Sequence, residues 1–427
     1  MPELNGHLPL LKVAEEIGRR ICAEAIWHED RCNWIGAEAM ERPAAGQRST
    51  LTYRTLGPDL YSGAGGVAIF LAELYGVTGE PALRRTATAA IRQALSRADT
   101  VSPGGRIGLF SGWTGIALAA VRLAAILGEP VLVEEAMRLV RRAAGATCDP
   151  REYDVMSGRA GAIASLVVLH CILDDISLLE LAVRFGDELL ASAERSDAGF
   201  SWESSGAPNH RNLTGFSHGA AGAAYALLEL FSATGDGRYR EAALRAFDYE
   251  RHWFNAREGN WPDFRKDPSS GRKKPRTHPH MVFWCHGAPG IALSRLRAWE
   301  ILNDGACKAE AIAALRTTRA SLEQAVDGSA GNFSLCHGLP GNAESLLYAA
   351  EVLGAEGASV AAEIAAFGAE RYSDGRSPWP CGTYAGETPG FMLGLAGIGH
   401  FYLRLCRPSV PGLLVLRKEQ WQPAGRG

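Results

Sequence analysis

Apolar stretches of similar length recur along the chain, and each follows the same glycine-containing phrase. The stretches at residues 116–121 and 223–228 are examples, and they are apolar nearly all round. Helices of that kind are buried on most of their sides, so we expect core helices here. The phrase is Gly-x-x-Gly, and it stands at residues 63–66, 112–115, 158–161, 219–222, 287–290, 338–341 and 394–397. Its recurrence at intervals of roughly 45–70 residues indicates one structural unit used seven times.

The ends of these helices are also marked in the sequence. Thirteen residues after the second glycine of the first six copies stand residues that tolerate a left-handed backbone, namely Gly79, Gly128, Asp174, Gly235, Asn303 and Gly354. The pattern predicts helices of about 13 residues, roughly 20 Å long. The seventh copy has Val410 at this place, and terminal repeats are often atypical.

Amphipathic segments lie between the apolar stretches. In residues 84–95 the charges fall on one face and Ala, Ile and Leu on the other, which is typical of an outer helix. Open solenoids need polar capping repeats, whereas the last unit, at residues 391–405, is as apolar as the others. We therefore predict an all-α fold, an α/α toroid with seven inner and seven outer helices and all Gly-x-x-Gly turns at one end.

The repeat also sets the expected domain boundaries. Residues 59–407 form the toroid, and residues 1–58 are expected to be a helical extension that packs on it. Residues 408–427 are a C-terminal tail for which the sequence indicates no role.

Composition excludes several classes of function. The net charge of −3 over 427 residues does not favour nucleic acid or anionic membranes as partners. We find no signal peptide, and the longest apolar stretch, residues 163–173, is too short for an integral membrane segment. Nine cysteines without framework spacing indicate reduced thiols and a cytoplasmic protein. A local exception in charge is the basic segment 265–276, which either contacts a peptide or is a solvated loop.

Three residues are candidate zinc ligands. Cys285 and Cys336 open the same Cys-His-Gly phrase one repeat apart, so a toroid would place them on adjacent inner helices. Two thiolates with the imidazole of His337 are a common zinc set and leave one position open for substrate. The alternative for the two cysteines is a structural, buried role. His286 lies either beside the open position, in contact with substrate, or in the core as a hydrogen-bonded histidine.

Two further residues are candidates for proton transfer. His218 shares the register of His286 and His337, but Ser217 replaces the preceding cysteine, which favours acid–base work over metal binding. Asp154 lies four residues before Gly158. It either caps that turn or orients His218 of the next repeat.

The motifs around these residues resemble those of the lanthionine synthetase C-like (LanC-like) cyclases. They are Trp-Cys-His-Gly-Ala-Pro-Gly at 284–290, Cys-His-Gly at 336–338, Gly-Phe-Ser-His-Gly at 215–219 and Tyr-Asp-Val-Met-Ser-Gly-Arg-Ala-Gly at 153–161. The resemblance implies a double α-helical toroid that adds peptide cysteine thiols to dehydroalanine or dehydrobutyrine. It also implies that Cys285, Cys336 and His337 hold Zn²⁺ and that His218 and Asp154 transfer protons.

The resemblance extends to partners. The form of the motifs is closest to the cyclase domains of bifunctional lanthipeptide synthetases, so a dehydrated precursor peptide is the expected substrate. No dehydratase or kinase domain precedes the motifs here, which implies either a separate dehydratase as partner or an excised domain. Two other functions remain open from the sequence. One is the addition of glutathione to dehydroamino acids in proteins, and the other is a zinc-stabilised binding scaffold.

Overall fold

A computed structural model describes residues 8–39, 51–204, 211–265, 278–328, 331–354, 357–382 and 386–421. Helices account for most of them, and the strands form three short antiparallel ribbons. The helices are α1 (Leu8–Ala23), α2 (Ala64–Thr78), α3 (Pro81–Ser96), α4 (Trp113–Leu127), α5 (Val131–Ala144), α6 (Arg159–Leu173), α7 (Ile176–Ala191), α8 (Ala220–Thr234), α9 (Gly237–Trp253), α10 (Ala288–Leu302), α11 (Gly305–Asp327), α12 (Leu339–Leu353), α13 (Gly357–Tyr372), α14 (Leu395–Cys406) and α15 (Lys418–Trp421). The strands are β1 (Ile26–His28), β2 (Arg31–Asn33), β3 (Ile35–Ala39), β4 (Leu51–Thr55), β5 (Glu194–Ser196) and β6 (Gly199–Ser201), and each odd-numbered strand pairs with the next.

The even-numbered helices from α2 to α14 are the apolar helices that the sequence predicts. The first glycine of each repeat phrase caps one of them at its N-terminus. The first six helices end at the predicted left-handed residues, with φ between 52° and 74°. Helix α14 is shorter, ending at Cys406, as the irregular last copy indicates.

The second glycine of each phrase is needed because two backbone segments approach closely. A Cβ at Gly115 would lie 1.6 Å from the carbonyl oxygen of Leu109, and one at Gly290 would lie 2.1 Å from that of Trp284. No side chain fits at these distances, so the phrase keeps glycine while its other positions vary.

Outer helices pack on the inner ones in sequence order. Each of α3, α5, α7, α9, α11 and α13 packs on the inner helix that precedes it, and buries one face while its charges point outward. Helix α14 packs against α2, so the inner helices form a closed ring. Helix α1, from the N-terminal segment, takes the outer position on α14. Within the described residues the toroid thus has seven inner and seven outer helices, and the predicted fold class is confirmed.

The repeat turns meet at the ring axis through backbone hydrogen bonds. One residue per repeat, two positions before the capping glycine, contributes to what we call the axial ring, formed by Tyr61, Phe110, Met156, Ser217, Cys285, Cys336 and Met392. Its members bond to one another around the axis, for example from Met392 N to the Tyr61 oxygen (2.7 Å) and from Cys336 N to the Met392 oxygen (3.0 Å). Between the third and fourth repeats the donor is Val155, the neighbour of Met156. The fold therefore gathers the candidate residues of different repeats at one end.

Residues after α14 do not continue the ring but enter its lumen. Leu414 and Leu416 are buried there among the inner helices. Within the described ranges, no helix is long and apolar enough to cross a membrane.

Candidate functional site

Cys285 and Cys336 are neighbours on the axial ring, and their side chains meet. Cys285 N donates to the carbonyl oxygen of Cys336 (3.4 Å), and the two thiols share a hydrogen bond. That hydrogen bond lowers the pKa of Cys285 and, together with burial, raises the pKa of Cys336.

His337 follows Cys336 and turns toward the loop between α13 and α14. Its Nε2 lies 3.3 Å from the carbonyl oxygen of Gly382, and its ring contacts Phe283 edge-on. A carbonyl oxygen only accepts, so Nε2 carries the proton and Nδ1 keeps its lone pair. Burial lowers the pKa of His337, so the ring is neutral at pH 7.

The chemistry of these three residues fits zinc, although their arrangement does not by itself form a metal site. Two hydrogen-bonded thiols and a neutral imidazole, oriented by a carbonyl oxygen, are the donors that zinc takes in proteins. Among the described residues, however, no three His, Cys, Asp or Glu side chains converge as metal ligands. Cys285 and Cys336 are brought together, whereas His337 is held by Gly382.

Asp154 and His218 form a direct pair between adjacent repeats. His218 Nδ1 lies 2.6 Å from Asp154 Oδ2, and Tyr153 holds the same turn by donating its hydroxyl hydrogen to the His218 carbonyl oxygen. Burial alone would lower the pKa of His218, but the charge and hydrogen bond of Asp154 raise it. Likewise, burial would raise the pKa of Asp154, and the charge of His218 lowers it. The pair is therefore stable as imidazolium and carboxylate.

Asp154 also caps its own turn, so both roles considered for it are structurally compatible. Its Oδ1 accepts hydrogen bonds from Ser157 N (2.8 Å) and Gly158 N (3.1 Å), while Oδ2 remains for His218. Asp59 occupies the same register in the first repeat and accepts from Ser62 N. Capping is thus a property of the scaffold, and the contact with histidine is added in the third repeat.

His286 lies between the thiol pair and the acid–base pair. Its ring stacks on that of His218, with centroids 5.7 Å apart, and it hydrogen-bonds to the backbone of Thr214. Burial, aided by the charge of Arg265, lowers the pKa of His286 to about 3. Its Nε2 is buried and has no hydrogen-bond partner within the described residues. His286 is therefore a neutral ring with one acceptor atom unsatisfied.

Two further residues, Tyr61 and Arg265, contribute to the site although the sequence indicates no role for them beside the thiols. The hydroxyl group of Tyr61 contacts the thiol of Cys336, and the register that Tyr61 shares with both cysteines is the signal that could have identified it. Arg265, 43% exposed, pairs with the buried carboxylate of Asp263 (2.5 Å), and its charge acts on both thiols and on His286. Arg265 belongs to the predicted basic segment, but residues 266–276 lie outside the described residues, so a peptide-docking role stays a prediction.

Comparison with known proteins bears on the fold and the family of the chain. Nisin cyclase matches with a TM-score of 0.62 at 19% identity, covering 85% of this chain and 91% of that one. A family 76 glycoside hydrolase from a bovine Bacteroides thetaiotaomicron strain matches with a TM-score of 0.46 at 10% identity, covering 93% of this chain and 77% of that one, and is too remote to bear on the site. The family described as lanthionine synthetase C-like protein matches over residues 54–415, which is most of the chain. The chain therefore belongs to the lanthionine synthetase C-like family.

Proposed function

We propose that this chain is a zinc-dependent cyclase that forms thioether rings in a dehydrated peptide. A peptide cysteine would add to dehydroalanine or dehydrobutyrine, giving lanthionine or methyllanthionine. The observation that carries the proposal is the juxtaposition, in a chain of this family, of a thiol pair on the axial ring and a part-buried carboxylate–imidazole pair in the adjoining repeat turns. The first suits thiol chemistry and the second suits proton transfer.

Cys285, Cys336 and His337 are the residues that would hold zinc. Bound zinc would supply a substrate thiol in its thiolate form, which a free thiol with a pKa of about 8.5 reaches only in small part at pH 7. Tyr61 supports Cys336 through its hydroxyl group, and the Gly382 carbonyl oxygen fixes the protonated nitrogen of His337. These contacts orient the ligand atoms before metal or substrate arrives.

His218 is the proposed acid. When the substrate sulfur bonds to the β-carbon, the π electrons of the double bond move toward the adjacent carbonyl and form an enolate. The α-carbon then takes a proton, which completes the addition of S–H across the double bond. Asp154 raises the pKa of His218 and thereby keeps the ring charged near neutral pH, as an acid for this step must be.

His286 and Arg265 have complementary roles in the same proposal. The unsatisfied Nε2 of His286 is placed to accept a hydrogen bond from the incoming substrate thiol, whose proton passes to solvent. Two stacked imidazoles whose environments move their pKa values apart are suited to separate acceptor and donor roles. Arg265 places a positive charge near the thiols and so favours an approaching thiolate.

Incubation with a dehydrated precursor peptide tests the activity. Ring formation leaves the peptide mass unchanged, so the readout is protection of cysteines from a thiol-alkylating reagent, followed by fragmentation mass spectrometry. We expect protected cysteines with wild type and free ones with His218→Ala. A mass increase by glutathione, when that thiol is offered with a cysteine-free peptide, would favour the glutathione alternative. Metal-loaded protein that protects no cysteine and adds no glutathione would favour a scaffold.

Metal analysis tests the ligand assignment separately. Cys336→Ala and His337→Ala are each expected to lose most of the zinc, while their circular dichroism stays helical because the repeats carry their own core. Cys307→Ala is the control, since Cys307 is buried in α11 away from the axial ring. Full zinc occupancy in both ligand variants would refute the assignment.

The proposed substrate implies partners and a compartment. Dehydroamino acids arise by removal of water from serine or threonine, so a separate dehydratase would supply the peptide. The site uses reduced thiols, which favours the cytoplasm. Co-purification of the chain with a dehydratase and a cysteine-containing precursor would support this part of the proposal.

A further inference from the structure

The segment 410–421, which follows α14 and includes α15, fills the ring lumen. Its large apolar residues are buried, with Leu416 at 1% and Trp421 at 2% exposure. The segment contacts inner helices on nearly all sides, including α4 through Trp421, α6 through α15, and α8 through Lys418. We call it the lumen segment.

Charged residues of the inner helices face this segment. Arg297 pairs with Glu229 (2.5 Å) and reaches Glu419 of the lumen segment (3.2 Å). Arg404 pairs with Glu344 and donates to the Val410 carbonyl oxygen (2.5 Å). Buried charges of this kind need further hydrogen bonds to offset their desolvation, and the lumen segment provides them. It is therefore fixed in place.

Three hydrogen bonds connect the lumen segment to two aromatic residues next to the site. The Trp284 indole N–H donates to the Leu414 carbonyl oxygen (3.0 Å). Tyr225 forms two hydrogen bonds with Leu416, donating its hydroxyl hydrogen to the carbonyl oxygen (2.8 Å) and accepting from the amide N–H (3.0 Å). Leu414 and Leu416 are two residues apart, so one short stretch of backbone holds both aromatic side chains.

The two aromatic residues lie directly behind the candidate site. Trp284 precedes Cys285, is fully buried, and contacts Phe110 and Phe216 edge-on at 5.2 and 5.8 Å between ring centroids. Tyr225 packs on Phe216 at 5.3 Å. Phe216 lies two residues before His218 in the chain. The aromatic cluster thus supports the turn with the first thiol and the turn with the proposed acid.

We propose that the lumen segment is a positioning element for the candidate site, acting through Tyr225 and Trp284. This role rests on the proposed function, but what the lumen segment would fix is the position of Cys285 relative to Cys336. By fixing the aromatic cluster from behind, the lumen segment holds these two thiols in hydrogen-bonding contact. Loss of its contacts should loosen the thiol pair without opening the ring.

Full-length Tyr225→Phe tests this with Tyr402→Phe as the matched control. Tyr402 is equally buried and donates to a backbone carbonyl oxygen, that of Ala365 (2.7 Å), but it lies between α14 and α13. Two site readouts are measured: the rate at which diamide joins Cys285 and Cys336 in metal-free protein, by peptide mapping, and the affinity for Co²⁺ alone, by thiolate-to-cobalt absorption. The disulfide rate and the Co²⁺ affinity should each fall about tenfold in Tyr225→Phe, the size of effect expected when a residue that supports metal ligands from behind is lost. Both should stay at wild-type values in Tyr402→Phe.

A second pair of variants acts from the lumen segment itself. Arg417 pairs with Glu351 and lies 3.5 Å from Glu300, far from the thiols. Arg417→Gln should reduce both site readouts, and Arg417→Lys should restore much of the loss because it keeps the charge. This pair addresses the case in which Tyr225→Phe fails to fold.

The outcomes separate this inference from the proposed function. If Tyr225→Phe and Arg417→Gln lower the melting temperature but keep wild-type disulfide rates and cobalt affinity, the lumen segment is structural only and the inference is overturned. If wild-type protein binds no cobalt but its disulfide rate still depends on Tyr225, the zinc proposal fails and the positioning role stands.

Discussion

Asp154 and Asp59 show how one residue position differs in chemistry between repeats. Both carboxylates cap the turn that follows them, yet burial raises the pKa of Asp59 whereas the charge of His218 lowers that of Asp154. The difference arises from a single neighbouring side chain. The proposed role of Asp154 therefore depends on Oδ2, which contacts His218, while Oδ1 serves the fold.

Replacement of Asp154 by Asn should separate these two oxygens. Without the carboxylate charge the pKa of His218 falls, so the pH at which activity declines on the alkaline side should move to lower pH. At neutral pH the rate should fall by roughly two to four decades, because less of the proposed acid is protonated. The measurement is the pH dependence of thioether formation, with the His218 pKa followed by NMR.

Asp59→Asn is the matched control for that variant, since it alters the same cap without a histidine partner. It should lose some stability but keep the pH profile of wild type. Equal pH profiles for Asp154→Asn and wild type would contradict an acid role for His218.

Repeat register explains which site residues the sequence predicts and which it does not. The register predicts two pairs, because equivalent positions of adjacent repeats come together in a ring. These pairs are Cys285 with Cys336 and Asp154 with His218, and the structure brings the members of each pair together. Tyr61 shares the register but lacks an obvious metal or acid–base chemistry. The Gly382 contact of His337 comes from an irregular loop, which no repeat pattern describes.

Between elements, the outer helix α9 also contributes to the turn that carries His218. Glu250 of α9 accepts hydrogen bonds from Gly215 N (3.0 Å) and Ala221 N (2.8 Å), on either side of His218. Burial raises the pKa of Glu250 to about 7. One carboxylate thus fixes both ends of the turn that carries the proposed acid, at the cost of a buried charge.

Glu250→Gln should change the pH dependence of stability. A carboxyl group with a raised folded-state pKa binds more protons when folded, so its contribution to stability declines as pH rises from about 4.5 to about 7, by about 3 kcal/mol in all. Glutamine keeps the acceptor oxygen but does not titrate, so the urea-unfolding free energy should lose this decline. Glu241→Gln, at an exposed position of α9, should keep it. An unchanged decline in Glu250→Gln would assign it to other groups.

The glycine turns allow a second element-scale prediction. Gly115→Ala must push the new methyl group against the Leu109 carbonyl oxygen, so we expect a loss of about 3 kcal/mol in unfolding free energy. Gly237→Ala, at the start of α9, meets no atom of the described chain within 4 Å and should gain up to about 1 kcal/mol. Equal stability of the two variants would show that the turn relaxes freely.

At the scale of the whole molecule, ring closure involves parts of the chain far apart in sequence. The repeat pattern predicts a closed toroid, since the last inner helix is apolar on all sides. It does not reveal that α1 covers α14, because α1 lies outside the repeats and carries only an ordinary amphipathic pattern. Nor does it indicate the lumen segment, whose hydrogen bonds to Tyr225 and Trp284 are made by backbone groups that any sequence possesses.

Helix α1 should therefore be as important for stability as the repeated helices, although it precedes the region that matches the family. Ile21 of α1 is fully buried, so Ile21→Ala should lower the free energy of unfolding by about 2–5 kcal/mol. Ile26 in β1 is 54% exposed, and Ile26→Ala should change it by no more than about 0.5 kcal/mol. In a closed ring each inner helix has neighbours on both sides, so far-ultraviolet and near-ultraviolet circular dichroism should report one coincident transition that moves as a whole in Ile21→Ala. A separate early transition for α1, with the main transition unmoved, would instead describe an appendage on a ring that is stable without it.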